Sequence, residues 1–256
     1  MQNTITQTKL PADFTSALYS HAMADHLWPE LRLYDKAARE LWERLPTSTH
    51  RVRAQKTQIT RSLWYDQRCL EFIRLHPSAT FIALEAGLNT RFHRLSQQAE
   101  WPRFQWWELD RPERAACKQR LLPRVDNYRI EPLCPRDIAG QLQAILYTQA
   151  RPVMIICEAA NSHFTQPQWY NLLSALKPAT TCQPIELIFD CPNRIFLPFG
   201  RRRALTGSMA LPAHARVLRQ DTLQQPLASL MTGRQQGWHL SLASGRGHRH
   251  DTSSLT

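Results

Sequence analysis

The 256-residue chain predicts an α/β domain: a mostly parallel sheet with helices on both faces and a helical cap at the N-terminus. Three observations carry this expectation. Short, continuously apolar runs such as Val153 to Cys157 recur through the middle of the chain, as they do in strands buried on both faces. Amphipathic stretches separate these runs, which is the alternation of βαβ units. Residues 1–60 instead carry apolar side chains at three- and four-residue spacing, the helical period.

In chain order, helices are expected over 15–26, with Ala17, Leu18, His21 and Ala22 on one face, and over 33–45, with Leu33, Ala37, Ala38, Leu41 and Leu45. Pro46 closes the second of these. A third helix, 61–75, carries Leu63, Trp64, Leu70, Phe72 and Ile73 and ends before Pro77. Strands are then expected at 79–84, 104–109, 128–133, 152–157 and 185–189. The helices between them cover 91–97, 112–122, 136–148 and 166–176, and Pro112 suits the first turn of its helix. Beyond Asp190 the pattern weakens, and two final strands are expected around 217–218 and 238–242. The organisation is therefore a cap at 1–60, an α/β domain at 61–243 and a disordered tail at 244–256.

An apolar content of 43% excludes wholesale disorder. The longest apolar runs fall far short of the roughly 20 residues of a membrane span. The start, MQNTITQTKLPADF, lacks the basic and apolar regions of a signal peptide, so a cytoplasmic protein is expected. The net charge is +11, from 32 Lys and Arg against 21 Asp and Glu. Such an excess can mark a nucleic-acid surface. Here the arginines are spread along the chain, dense only at Arg201, Arg202 and Arg203 and around Arg246 and Arg249, and no basic block is interleaved with aromatics. A nucleic-acid partner is not favoured. The cysteines at 69, 117, 134, 157, 182 and 191 include no C-x-x-C or C-x-C pair, so neither a zinc nor a dithiol site is expected. Cys157 reads as core packing. His248 and His250 read as solvated tail residues, so no metal is expected.

Ligands of open parallel sheets bind at the carboxyl ends of the strands. After the first run comes Glu85-Ala86-Gly87-Leu88-Asn89-Thr90-Arg91, where Gly87 permits a tight turn and close backbone approach. After the second comes Asp110, placed either to accept from ribose hydroxyls or to cap the helix that starts with Arg111-Pro112. After the fourth comes Glu158, a carboxylate that lines a cleft or needs a buried partner. Trp101, Trp106 and Trp107 read as packing rather than as an aromatic wall over a ligand.

These segments resemble the leucine carboxyl methyltransferase and polyketide O-methyltransferase family. FIALEAGLNTRFHRL (81–95) is similar to its glycine loop, a strand followed by L-G-x-G-L-D-T-R. FQWWELDRPERAACKQRLL (104–122) is similar to its second motif, an acidic strand end, D-x-P and a Lys before paired leucines. VMIICEAANSHFTQPQWYNLL (153–173) resembles its E-G-x-x-x-Y-L segment, and 18–45 its helical cap. Arg61 and Asp66 match an R…D pair on the next helix. The resemblance implies a Rossmann-like class I methyltransferase fold, S-adenosylmethionine (SAM) as cofactor and O-methylation of a small-molecule acceptor, a carboxylic acid by family analogy.

On this resemblance, Glu85, Ala86 and Gly87 pass beside the methionine portion of the cofactor and Asp110 holds the ribose. Arg61 pairs with the cofactor carboxylate, Leu133 flanks the adenine and Glu158 lines the cleft near the sulfonium. Tyr19, Asn161 and His163 are expected at the acceptor. A carboxylate acceptor is already ionised, whereas a phenol of pKa about 10 needs a base, a role open to His163. The chain also departs from the family pattern. Glu85 replaces the first loop glycine, Asn89 the usual Asp, Ala159 the glycine after Glu158 and His163 the usual Tyr. Glu85 either reaches the cofactor amino group or obstructs backbone approach. Two alternatives follow: a catalytically lapsed relative serving as a binding or partner module, and, from charge alone, a basic nucleic-acid-binding protein.

Overall fold

The computed structural model describes residues 12–45, 52–99, 103–134, 136–176, 184–192, 211–212, 214–223 and 235–242. Strands β1 (Thr80–Leu84), β2 (Gln105–Asp110), β3 (Tyr128–Pro132), β4 (Val153–Cys157), β5 (Ile185–Pro192), β6 (Ala215–Thr222) and β7 (Gln235–Leu242) form one sheet. Its order is β3-β2-β1-β4-β5-β7-β6. The first five strands are parallel, and β7 runs antiparallel between β5 and β6. The chain builds outward from β1 to β3, then returns to place β4 against β1. The strand order therefore reverses between β1 and β4, which opens a crevice at their carboxyl ends.

All five residues of β1 and of β4 are buried, and alternate side chains serve opposite faces of the sheet. Ile82, Leu84, Ile155 and Leu187 pack with Leu142 and Leu146 of α7 (Ile138–Tyr147) and with Trp169, Leu172 and Leu173 of α9 (Gln166–Ala175). Phe81, Trp106 and Ile156 pack on the other face. Their partners are Tyr65, Cys69 and Phe72 of α4 (Lys56–Leu75), Phe92 and Leu95 of α5 (Arg91–Gln98) and Ala115 of α6 (Pro112–Leu121). Trp106 stacks on Phe81 at 5.1 Å between ring centres. Trp107 points to the opposite face beneath the Arg129 guanidinium. Both are packing residues, as their sequence context implies, and Trp101 lies outside the described residues.

The cap contains α1 (Ala12–Ala22), a short α2 (Ala24–Leu27), a 3-10 turn at Pro29–Leu31 and α3 (Lys36–Arg44). The continuous helix expected over 15–26 is interrupted at Met23, whose φ of −105° and ψ of 1° leave the helical well. Asp35 starts α3 by accepting from the Ala38 N–H at 2.9 Å, a side-chain cap. The helix expected from Arg61 begins at Lys56 instead, because the polar start Lys56-Thr57-Gln58 carries no apolar period. Consequently the boundary expected between 60 and 61 falls within α4. Ile59, in its early turns, packs with Ala24 and Leu33 of the cap, while later residues of the same helix lie on the sheet. Both C-terminal strands exist and are longer than expected. Most of β6 is exposed, so no buried periodicity announces it. The expected tail at 244–256 lies outside the described residues. Among the described residues, no helix is long and apolar enough to cross a membrane.

His93, on α5, meets Tyr128 edge to face, and its Nε2 is buried without a hydrogen-bond partner among the described residues. Burial and the Lys118 charge push its pKa down to about 4. The folded-state value then lies below the unfolded value of about 6.5, so the unfolded chain binds the proton first as pH falls. The fold should lose stability progressively from about pH 6.5 toward pH 4. His93→Phe should flatten this slope, as read from urea midpoints at pH 7 and pH 5. An unchanged slope would show that His93 does not contribute to it.

Candidate functional site

The loop after β1 contains two left-handed residues, Glu85 at φ 46° and Gly87 at φ 57°. Glycine adopts this conformation freely, whereas an L-residue held there costs on the order of 1 kcal/mol. Ala159, after β4, is likewise held at φ 50°. The two positions where this chain replaces a glycine of the resembling family thus keep a glycine-like backbone without the glycine. Asp110, at the end of β2, secures the loop: its Oδ2 accepts from the Gly87 N–H at 2.6 Å and its Oδ1 from the Arg111 N–H at 2.7 Å. Burial raises the Asp110 pKa, and those two N–H groups work against the rise.

A cavity of about 490 Å³ opens at the carboxyl ends of β1 to β4, lined among others by Glu85, Arg111, Asp137, Ile138, His163 and Leu172. Its size is that of a small-molecule or cofactor site. Glu85 Oε2 lies 2.9 Å from His163 Nδ1 and accepts from Arg111 Nε at 3.2 Å. Burial disfavours the Glu85 charge, yet His163 and Arg111 hold its carboxyl below the ordinary glutamate range. Asp137 caps α7 by accepting from the Gly140 N–H at 2.9 Å, and this fixes the far wall of the cavity.

Behind the loop, charged side chains are buried as a connected set. Arg94 forms a two-bond pair with Asp66, Nε to Oδ2 at 2.7 Å and Nη2 to Oδ1 at 3.0 Å, and reaches Asp35 at 2.6 Å. Arg91 donates to Asp66 at 2.6 Å and to Glu158. His21 joins Asp35 at 3.2 Å to Ser62 at 2.8 Å, and Thr90 donates to Asp35 at 2.6 Å. Burial opposes ionisation of Asp35, Asp66 and Glu158, but the two arginines hold all three carboxyls below their usual range. Burial and Arg94 together lower the His21 pKa. Asn89 donates to Glu158 at 2.7 Å. An Asp at this position would bring two carboxylates together, a physical reason for the amide.

Two further groups anchor the site. Lys118 is buried, bonded to Glu108 and to the Asn89 carbonyl at 2.6 Å, tying α6 and β2 to the loop. Asp190, on β5, accepts from the Tyr65 hydroxyl at 2.6 Å and the Ala159 N–H at 2.7 Å.

The structure brings Glu85, Gly87, Asp110 and His163 together around the strand ends, with Ala86 beside them in the loop and Glu158 behind it. Arg61 sits on the β4–β5 side, 3.9 Å from Glu158 and 3.8 Å from Asp190. Leu133 is buried in the core and Tyr19 packs on Trp42 at 4.7 Å, so neither side chain lines the cavity. Asn161 lies on α8 (Ala160–His163), and its side chain is outside what the structure describes. Asp66 pairs with Arg91 and Arg94 rather than with Arg61, because the partners across the helix interface are nearer. Asp35, Arg91, Arg94, Lys118 and Asp190 had no role in the sequence reading. The only signal was that Arg91, Arg94 and Lys118 fall inside the quoted motifs and Asp35 inside the 18–45 cap segment.

The strand order and the crevice define a Rossmann-like fold of the class I methyltransferase type. The leucine carboxyl methyltransferase family matches residues 7–177, and the chain belongs to that family. It is 28% identical over 178 residues to the tetracenomycin polyketide synthesis O-methyltransferase TcmP of Streptomyces glaucescens. That alignment covers 68% of this chain and 63% of the relative, so the chain spans less than two thirds of the relative's length. A crystal structure of a Thermobifida fusca YX protein described as a methyltransferase shares the fold, with a TM-score of 0.55 at 13% identity over 89% of this chain and 94% of that one.

The residues present fit the family's cofactor. The Nε of Arg61 is buried with no hydrogen-bond partner among the described residues, and its nearest carboxylates stand beyond bonding distance. A buried unmet donor is costly. The carboxylate of a bound amino-acid moiety is the group that a guanidinium would take. Arg61, the 85–90 loop and the cavity walls would hold SAM.

Proposed function

We propose that this protein transfers a methyl group from SAM to an oxygen atom of a small-molecule acceptor. The observation that carries the proposal is the cavity of about 490 Å³ at the carboxyl ends of β1 to β4, where this fold binds nucleotide-type ligands. SAM supplies an electrophilic methyl group on a sulfonium. The protein's part is to position the acceptor in line and strip water from it. Arg61 holds the cofactor carboxylate, the Gly87 turn lets the backbone approach, and Ile138 and Leu172 give the cavity apolar walls.

Family membership favours a carboxylic acid as acceptor, which needs no proton removed. A hydroxyl acceptor would call on His163, which lines the cavity. Asn161 remains a proposed acceptor contact from α8, while Tyr19, packed on Trp42, lies away from the cavity wall. We also propose the division into a cap, an α/β domain and a tail, and a cytoplasmic location. A second reading, a lapsed relative that binds without catalysis, draws on Glu85 in the glycine position.

Thermal unfolding with SAM and S-adenosylhomocysteine tests the first step. Ligand at about 100 times its Kd adds roughly 2.7 kcal/mol, an upward shift of roughly 5–11 °C for a domain of this size. Labelled-methyl transfer to a panel of carboxylic acids and phenols then finds the acceptor. No shift at millimolar cofactor would overturn the proposal. A shift without transfer to any acceptor would favour the lapsed reading.

A further inference from the structure

We propose that Asp190 is a positioning residue for Arg61: its charge holds the guanidinium at the strand ends while leaving the donors free for the cofactor carboxylate. The inference rests on the reading that Arg61 takes that carboxylate. It brings β5 and β7 into the cofactor subsite.

Asp190 is fully buried, and neutral donors occupy both of its oxygens. Oδ1 accepts from the Tyr65 hydroxyl at 2.6 Å and the Ala159 N–H at 2.7 Å, and Oδ2 accepts from Gln235 Nε2. An asparagine could serve the same partners once the Gln235 amide turned over, so these bonds alone do not call for a charge. A buried charge is costly unless a cation compensates it. Among the described residues, the cation that faces Asp190 is Arg61, with Nη1 3.8 Å from Oδ2.

On its other side, Arg61 Nε lies 3.9 Å from Glu158 Oε2. The second oxygen of Glu158 accepts from Asn89 and Arg91. Both separations from Arg61 exceed a hydrogen bond, so two carboxylates balance the guanidinium and neither captures it. Burial disfavours the Arg61 charge, yet Asp190 and then Glu158 favour it, and its pKa is raised. Gln235 sustains the balance, because it occupies the Asp190 oxygen nearest Arg61. Packing fixes this corner. Arg61 and Tyr65 stand four residues apart on α4 and share a face. Gly237 pairs with Asp190 across the β5–β7 ladder, and a Cβ there would come within 2.8 Å of the Trp64 ring. Bare backbone at Gly237 lets α4 lie close to the ladder, which brings Arg61 to Asp190.

The test is a double-mutant cycle read by calorimetry with S-adenosylhomocysteine and with 5′-methylthioadenosine, which lacks the amino-acid carboxylate. Asp190→Asn should weaken S-adenosylhomocysteine binding by about 10-fold, since Arg61 then settles on Glu158 and a bond to a charged group must break before the ligand binds. Its affinity for 5′-methylthioadenosine should stay within about 2-fold, as should both affinities when the substitution is made in an Arg61→Met background. Gln235→Leu, at the half-buried start of β7, poses the question again should Asp190→Asn fail to fold. Asp190 should then capture Arg61, with a loss for S-adenosylhomocysteine of about 3-fold or more that disappears without Arg61. Equal losses for both ligands, or the same S-adenosylhomocysteine loss with and without Arg61, would overturn the inference and leave Asp190 a structural anchor. Unchanged or tighter S-adenosylhomocysteine binding by Asp190→Asn would overturn it as well. Absence of binding of either ligand to wild type would instead overturn the methyltransferase reading, and this inference with it.

Discussion

Arg94→Met should destabilise the fold by about 3–5 kcal/mol, the cost of stranding buried partners of a removed charge. That corresponds to a fall in Tm of roughly 6–20 °C for a protein of this size. The guanidinium is 4% exposed and bonds Asp66, Asp35 and Thr90 at once. Without it, Asp35 retains only polar and histidine contacts, and Asp66 retains Arg91 alone. Adding Asp66→Asn to the variant should recover part of the loss, since one stranded charge disappears. Urea unfolding of the single and double variants measures both effects. A single-variant cost below about 1 kcal/mol, the scale of an exposed pair, would mean that solvent already screens the set.

The same set gives an acid limb with a defined sign. Asp35, Asp66 and Glu158 have folded-state pKa values below their ordinary ones. Their contribution is present above the unfolded values near 4 and is lost as pH falls through that range and below. Arg94→Met should flatten this limb, because two of the three carboxyls lose a cation that depresses them.

Arg61→Met should weaken S-adenosylhomocysteine binding by about 30- to 1000-fold, the range for losing a charge-assisted, two-bond carboxylate contact. The expectation follows from a buried Nε without a partner among the described residues, on a side chain that is still 25% accessible. 5′-Methylthioadenosine has the nucleoside and sulfur but no amino-acid carboxylate, so its affinity should change by no more than a few-fold. Calorimetry with both ligands separates the two roles open to this arginine. Equal losses for both would mean that Arg61 supports the β4 and β5 ends near Glu158 and Asp190 and does not touch the ligand.

Legibility in the sequence followed burial on one face or two. β1 and β4 are buried at every position and apolar at all but Thr80, so continuous runs marked them within a residue or so of their true bounds. β6 carries exposed Arg216, Arg219 and Gln220 and gains its place from pairing with β7, a contact that no local pattern records. The start of α4 was missed for a similar reason: only Ile59 among its first residues reaches a core. The site divides along the same line. Gly87, Asp110 and Glu158 were legible because strand ends could be located and their residue types read. Arg91 and Arg94 look like the solvated face of an ordinary helix. Their burial depends on Asp35 and Asp66, which come from separate earlier segments. The Glu85–His163 contact joins loops after different strands, and the positive φ at Glu85 is invisible until the loop is built.

The continuity of α4 through position 60 also bears on exchange of parts between relatives. A cap drawn from a relative that lacks His21 and Asp35 would arrive without the partners those residues provide beneath it. Arg94 would then face the interface short of one carboxylate, and the early turns of α4 would lack the surface on which Ile59 rests. A working chimera would have to carry His21, Asp35 and the α4 start together as one inherited unit.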